Sequence, residues 1–85
     1  MKEFTYTIKA EDGIHARPAG VLVNNAMKYK CNITMKANDK EASVKKLFAL
    51  MKLGIKKDDT ITVIFDGEDE EAAYTEIIKN IGENY

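Results

Sequence analysis

The apolar residues of this chain switch repeatedly between two spacings, and that switching limits the folds open to it. Phe4, Tyr6 and Ile8 alternate with Thr5, Thr7 and Lys9, the period of a half-buried strand. Asp12-Gly13 ends the run as a turn pair. From Ala16 to about Tyr29 the apolar positions Ala19, Leu22, Val23, Ala26 and Tyr29 recur at three and four, a helical stripe. Pro18 sits in the first turn of that helix, where a missing N–H costs no intrahelical bond. Gly20 costs the helix about 1 kcal/mol relative to alanine unless a neighbour packs closely there. Cys31, Ile33, Met35 and Ala37 alternate again, and Asn38-Asp39 turns the chain into Lys40–Val44 as a hairpin. Leu47, Phe48, Leu50, Met51 and Ile55 mark a short helix that Gly54 can end through a left-handed cap. Ile61, Val63 and Phe65 form a fourth strand, closed by Asp66-Gly67. Glu68–Glu71 then precede Ala73, Ile77, Ile78 and Ile81, an amphipathic helix with its acids at the positive end of the dipole.

The order β-α-β-β-α-β-α in 85 residues leaves room for one core and one domain, residues 1–85. Its layers are an α+β pair, with helices packed on one face of a sheet whose other face carries Thr and Lys. Charged residues make up 32% of the chain and apolar ones 45%, the balance of a globular fold rather than a disordered tail. With 13 Lys+Arg against 14 Asp+Glu, no global field holds nucleic acid or an anionic membrane. One Cys and one His supply neither an internal disulfide nor a metal cluster. The amino-terminal stretch alternates polar and apolar and is neither a signal peptide nor a membrane span. These readings point to a cytoplasmic domain without metal or cofactor.

The chemistry concentrates at Gly13-Ile14-His15-Ala16-Arg17-Pro18-Ala19. This loop runs into a helix, with the single histidine at or beside the N-cap. The backbone N–H groups of Ala16 and Arg17 have no intrahelical acceptor, so they and the dipole favour an anion. A guanidinium two residues from the imidazole adds donors suited to phosphate oxygens. Attack on phosphorus requires a neutral imidazole nitrogen. The helix start and Arg17 both oppose imidazolium and push its pKa down. The same groups then stabilise the charge of an attached phosphoryl group, roughly −2. A histidine near a helix start is more often a cap or a solvated surface residue; the full GIHARPA string is what favours chemistry.

That string, with the KKLFALMKLG helix from Lys45 to Gly54, the Thr60–Phe65 strand and the DGEDE turn, resembles the HPr family. These are the histidine-containing phosphocarriers of the phosphoenolpyruvate-dependent sugar phosphotransferase system. The resemblance spans essentially the whole chain, and the first element is its most specific part. It implies an open-faced β-sandwich, a four-stranded antiparallel sheet in the order 1-4-2-3 with three helices on one side. The periodicities are compatible with that order without selecting it, since a ferredoxin-like arrangement shares most of the same string. It further implies that His15 is phosphorylated at Nδ1 by Enzyme I and passes the group to sugar-specific acceptor domains. Arg17 helps to neutralise the phosphoryl oxygens. The chain is then a carrier, not an enzyme, and a monomer in transient contact with its partners.

Leu47, Phe48 and Met51 match the family's apolar docking surface. Core packing is the plain alternative for a short helix, but a packed face needs only about a 100°-wide stripe, so one or two of Leu47, Phe48, Leu50 and Met51 are expected outside. Lys45, Lys46 and Lys52 rim the patch and suit acidic partners. One departure bears on regulation. Many Gram-positive members carry a serine, phosphorylated by an ATP-dependent kinase, at the position of Lys46. That control branch is expected to be absent or altered; Ser43, the only serine, lies upstream in the third strand. Asn24 and Met27 replace lysines of some relatives, shifting the basic patch toward Lys28, Lys46 and Lys52. Cys31, Met27 and Met35 read as packing. Glu68–Glu71 reads as a helix start rather than a metal site, and Tyr85 carries no signal. Two other readings stand beside the carrier: a regulatory HPr-like carrier not dedicated to sugar uptake, and a ferredoxin-like interaction or RNA-binding module. The second lacks a basic, aromatic-rich stripe on the sheet.

Overall fold

The alternating segments pair into one sheet because each hides one face and exposes the other. In the computed structural model, which describes residues 1–14 and 16–85, β1 (Lys2–Thr7), β2 (Asn32–Ala37), β3 (Lys40–Ser43) and β4 (Thr60–Asp66) form a four-stranded sheet in the order β1-β4-β2-β3. All three pairings are antiparallel, with Phe4 opposite Val63, Met35 opposite Val63 and Met35 opposite Ala42. Side chains alternate across a strand. Ile33, Met35, Ile61, Val63 and Phe65 are therefore all buried against the helices, while Glu3, Thr5, Thr7, Thr60 and Lys36 are exposed on the bare face. The three helices are α1 (Ala16–Ala26), α2 (Leu47–Met51) and α3 (Glu70–Asn84), packed as the expected second layer.

Helix boundaries differ from the periodicities by up to three residues, for local reasons. Helix α1 stops at Ala26, and the N–H groups of Met27, Lys28 and Tyr29 close it through the carbonyls of Val23, Asn25 and Ala26. Helix α2 is shorter than the Lys45–Gly54 expectation; Gly54 follows at φ +65°, the left-handed conformation that ends helices. The hairpin turn has both central residues at positive φ, Asn38 at 53° and Asp39 at 63°, as a type I′ turn requires. No atom lies within 4 Å of a methyl added at Gly20. No packing offsets the cost of that glycine. Among the described residues, no helix is long and apolar enough to cross a membrane.

The acidic run before α3 does more than open a helix. Asp69 stands at its N-cap position but makes no side-chain cap bond there. Its carboxylate instead accepts the N–H groups of Lys30 at 2.7 Å and Cys31 at 2.8 Å, fastening the entry to β2. The Lys30 amide holds the Asp69 carboxyl below the usual carboxylate range against the opposing effect of burial, and the Cys31 amide adds a smaller lowering. A depressed folded pKa means this stabilisation is complete above the unfolded value of about 4 and is lost as pH falls through the folded one. Urea midpoints of the parent and Asp69→Asn should therefore differ clearly at pH 6 and converge below pH 4. A gap that persists in acid would show that charge is not its source.

Candidate functional site

The site is built on the loop from β1 to α1, and hydrogen bonds tie both ends of that loop to other parts of the chain. The Ile8 N–H donates to the Asp59 carbonyl at 2.9 Å, and the Asp58 N–H donates to the Ile8 carbonyl at 2.8 Å. The Lys9 and Ala10 N–H groups both donate to the Tyr85 carbonyl, at 2.5 and 2.9 Å. Tyr85 is itself buried, only 4% exposed. The last residue, uninformative as sequence, thus holds the loop down. Gly13 donates to the Ala10 carbonyl at 3.0 Å, and Ile14 donates to the Ile55 carbonyl at 3.4 Å.

Gly13 has no substitute here. Its φ is +63°, and a Cβ at this position would lie 2.2 Å from the Ile55 oxygen and 2.8 Å from the Lys56 Cα. Backbone meets backbone, so the loop sits on the Ile55–Lys56 segment as on a shelf. His15 lies outside the described residues; Ile14 before it is buried, and α1 opens immediately after it at Ala16. The first N–H groups of α1 belong to Ala16 and Arg17 and have no acceptor within the helix. Arg17 is exposed and, among the described residues, makes no ion pair with a carboxylate.

Helix α2 divides its apolar residues as its circumference demands. Leu50 is buried at 1% exposure and Leu47 is half-buried, while Phe48 is 80% and Met51 37% exposed. Val21 on α1 and Met27 just after it are exposed as well; Met27, expected as packing, is a surface residue because it falls outside the buried stripe of Ala19, Leu22, Val23 and Ala26. Lys46 and Lys52 are exposed and make no ion pair among the described residues. Two expected rim cations are otherwise engaged. The Lys45 ammonium is half-buried and donates to the Tyr29 carbonyl at 2.6 Å. Lys28 pairs with Glu76 at 3.6 Å, and Glu76 also accepts the Tyr29 hydroxyl at 3.0 Å.

The single thiol is buried and the single serine is half-buried. Cys31 is 2% exposed, and burial, then Asp69, raises its thiol pKa to about 11. The Ser43 hydroxyl accepts the Lys45 N–H at 3.2 Å. Among the described residues no group of three or more His, Cys, Asp or Glu converges as a metal site.

Residues 2–83 match the family model described as the PTS HPr component phosphorylation site. This chain belongs to the HPr family. It is 44% identical over 78 residues to the Phosphocarrier protein HPr of Mycoplasma genitalium, covering 91% of this chain and 89% of that one. Among solved structures, a histidine-containing phosphocarrier protein described in connection with the divergence of Mycoplasma from Gram-positive bacteria superposes with a TM-score of 0.94 at 35% identity, covering 96% of this chain and 93% of its own. The HPr of Thermoanaerobacter tengcongensis superposes with a TM-score of 0.91 at 32% identity over 98% of this chain and 93% of its own. That HPr has also been solved as a dimer, with a TM-score of 0.77 over 98% of this chain and 95% of its own. The ferredoxin-like alternative is set aside by the HPr family match together with the observed strand order.

Proposed function

We propose that this HPr-family chain is a phosphoryl shuttle in which His15 accepts from phospho-Enzyme I and donates to sugar-specific acceptor domains. The observation that carries the reading is the pinned Gly13–Ile14 loop leading into α1, with Arg17 exposed on the first turn of that helix. In the transfer, a neutral imidazole nitrogen attacks phosphorus. A P–N bond forms as the bond from phosphorus to the donor breaks, and its electron pair stays with the donor. The Ala16 and Arg17 amides and the Arg17 guanidinium stabilise the charge on the phosphoryl oxygens. A shallow site suits a group that must leave again, and the chain needs no metal or cofactor of its own. The test is to mix the protein with Enzyme I, magnesium and phosphoenolpyruvate. An acid-labile, base-stable adduct of about 80 Da supports the reading, and Arg17→Ala should reach the same endpoint more slowly; no adduct on the parent overturns it.

Leu47, Phe48 and Met51, rimmed by Lys46 and Lys52, form the docking surface in this reading and fit a partner with an apolar spot ringed by acids. Charge at a rim acts mainly on encounter. Lys52→Glu should slow association with Enzyme I by about three- to ten-fold at low salt, an effect that shrinks at high salt. An unchanged rate in stopped-flow binding would remove Lys52 from the surface. A stable dimer through Phe48 and Met51 would cover this face, so the working form in this reading is a monomer in the cytoplasm. Lys46 leaves α2 without a side-chain cap and offers no hydroxyl. Incubation with an HPr serine kinase and ATP should give no phosphoserine; stoichiometric modification would restore that control branch.

A further inference from the structure

We infer that Asp59 is a positioning residue for phosphoryl transfer, holding the shelf on which the loop before His15 rests; the inference builds on the carrier reading. The loop contacts that shelf only through Ile55 and Lys56, as a hydrogen bond at Ile14 and a close backbone approach at Gly13. What fixes the shelf is the Asp59 carboxylate. Its Oδ2 accepts the Lys56 N–H at 2.9 Å and the Asn38 Nδ2 group at 3.3 Å. The Asp59 N–H closes the turn onto the Lys56 carbonyl at 3.0 Å, and the Asp59 carbonyl accepts the Ile8 N–H. Asn38 in turn donates to the Leu53 carbonyl at 3.1 Å, so the hairpin tip and the segment after α2 meet at the Asp59 side chain, and the end of β1 meets its backbone.

Backbone strain marks the same place. Asp58 at φ 74° is a non-glycine residue in the left-handed region, next to Asp59 and donating its N–H to the Ile8 carbonyl, while the Ile8 N–H donates to the Asp59 carbonyl. Such conformations persist only where surrounding contacts over-determine them. Loss of the carboxylate frees Lys56, and with it the shelf; a displacement near 1 Å at a transfer site can cost about 100-fold in rate. Asp59 touches neither phosphoryl donor nor acceptor atoms in this account and acts through the Ile55–Lys56 backbone.

The test compares the parent with Asp59→Ala, Asp59→Asn and the distant core variant Ile77→Val, whose side chain is fully buried on α3. Urea unfolding fixes conditions in which every variant is folded. NMR follows the Gly13 and Ile14 amide shifts and the imidazole pKa of His15, and single-turnover uptake from phospho-Enzyme I gives the rate. Asp59→Ala should shift those amides and the imidazole pKa and slow uptake ten-fold or more. Asp59→Asn should recover most of both, since an amide oxygen can accept from Lys56 and Asn38. Ile77→Val should destabilise the protein and leave the shifts and rate unmoved. Parent-like amides, imidazole pKa and rate in folded Asp59→Ala overturn the inference. The NMR measurements test it even if the parent takes up no phosphoryl group, a result that would overturn the carrier reading alone.

Discussion

The His15→Ala variant is expected to take up no phosphoryl group from phospho-Enzyme I, with intact mass unchanged after prolonged incubation. The loss is complete rather than graded because the chain holds no second imidazole. Its other nucleophiles cannot stand in. Cys31 is buried with a thiol pKa near 11, so almost none is thiolate at pH 7 to 8. Ser43 would give a phosphate ester, which survives acid that cleaves a P–N bond. Acid treatment before mass analysis therefore distinguishes the proposed chemistry from esterification of a hydroxyl. An acid-labile adduct on His15→Ala would move the acceptor elsewhere and dissolve the proposal.

Gly13→Ala is expected to cost about 2–4 kcal/mol of a stability that is about 5–15 kcal/mol for small domains. In a domain of this size that lowers the thermal midpoint by roughly 10–30 °C. Two effects add. Holding an alanine in the left-handed region costs about 1–2 kcal/mol, and the added methyl meets the Ile55 oxygen and Lys56 Cα at 2.2 and 2.8 Å. The neighbours are backbone atoms, which cannot rotate away, so the loop must lift. Gly54 separates the two effects. Its φ is +65°, yet nothing lies within 4 Å of an added methyl, so Gly54→Ala should lose only the conformational part. Phosphoryl uptake by folded Gly13→Ala should fall by about 100-fold, and by much less in Gly54→Ala. Equal midpoints for the two variants, measured by calorimetry, would show that the close approach carries no energy.

What the sequence discloses and what it hides divide along chain separation. Phe4, Tyr6 and Ile8, the Asn38-Asp39 turn and the exposed side of α2 follow from spacing, because alternation and circumference are local properties. That one or two of Leu47, Phe48, Leu50 and Met51 lie outside is legible in the sequence, since four apolar residues on one short helix cannot all face inward; that they are Phe48 and Met51 is set by the packing of α2. The GIHARPA segment is likewise local, and the chemistry proposed for it is read from that string. The clamp from Asp69 to Lys30 and Cys31 spans 39 and 38 positions, and the Asn38–Asp59 contact spans 21. Nothing near either end of these pairs announces the other. Tyr85 hides for the same reason: its carbonyl serves amides at the opposite end of the chain. Lys45 looked like a surface cation because lysine usually is one, and only the fold brings the Tyr29 carbonyl within its reach.

The uncovered side of the sheet offers a practical dividend. Thr62 faces away from the helices and is flanked across the strands by Thr5 and Lys36, while the natural thiol is shielded from reagents. A single cysteine installed at Thr62 should accept a maleimide dye selectively, giving a fluorescent reporter that leaves α1 and α2 unobstructed. Each hand-off between proteins could then be followed as it happens, from the back of the molecule.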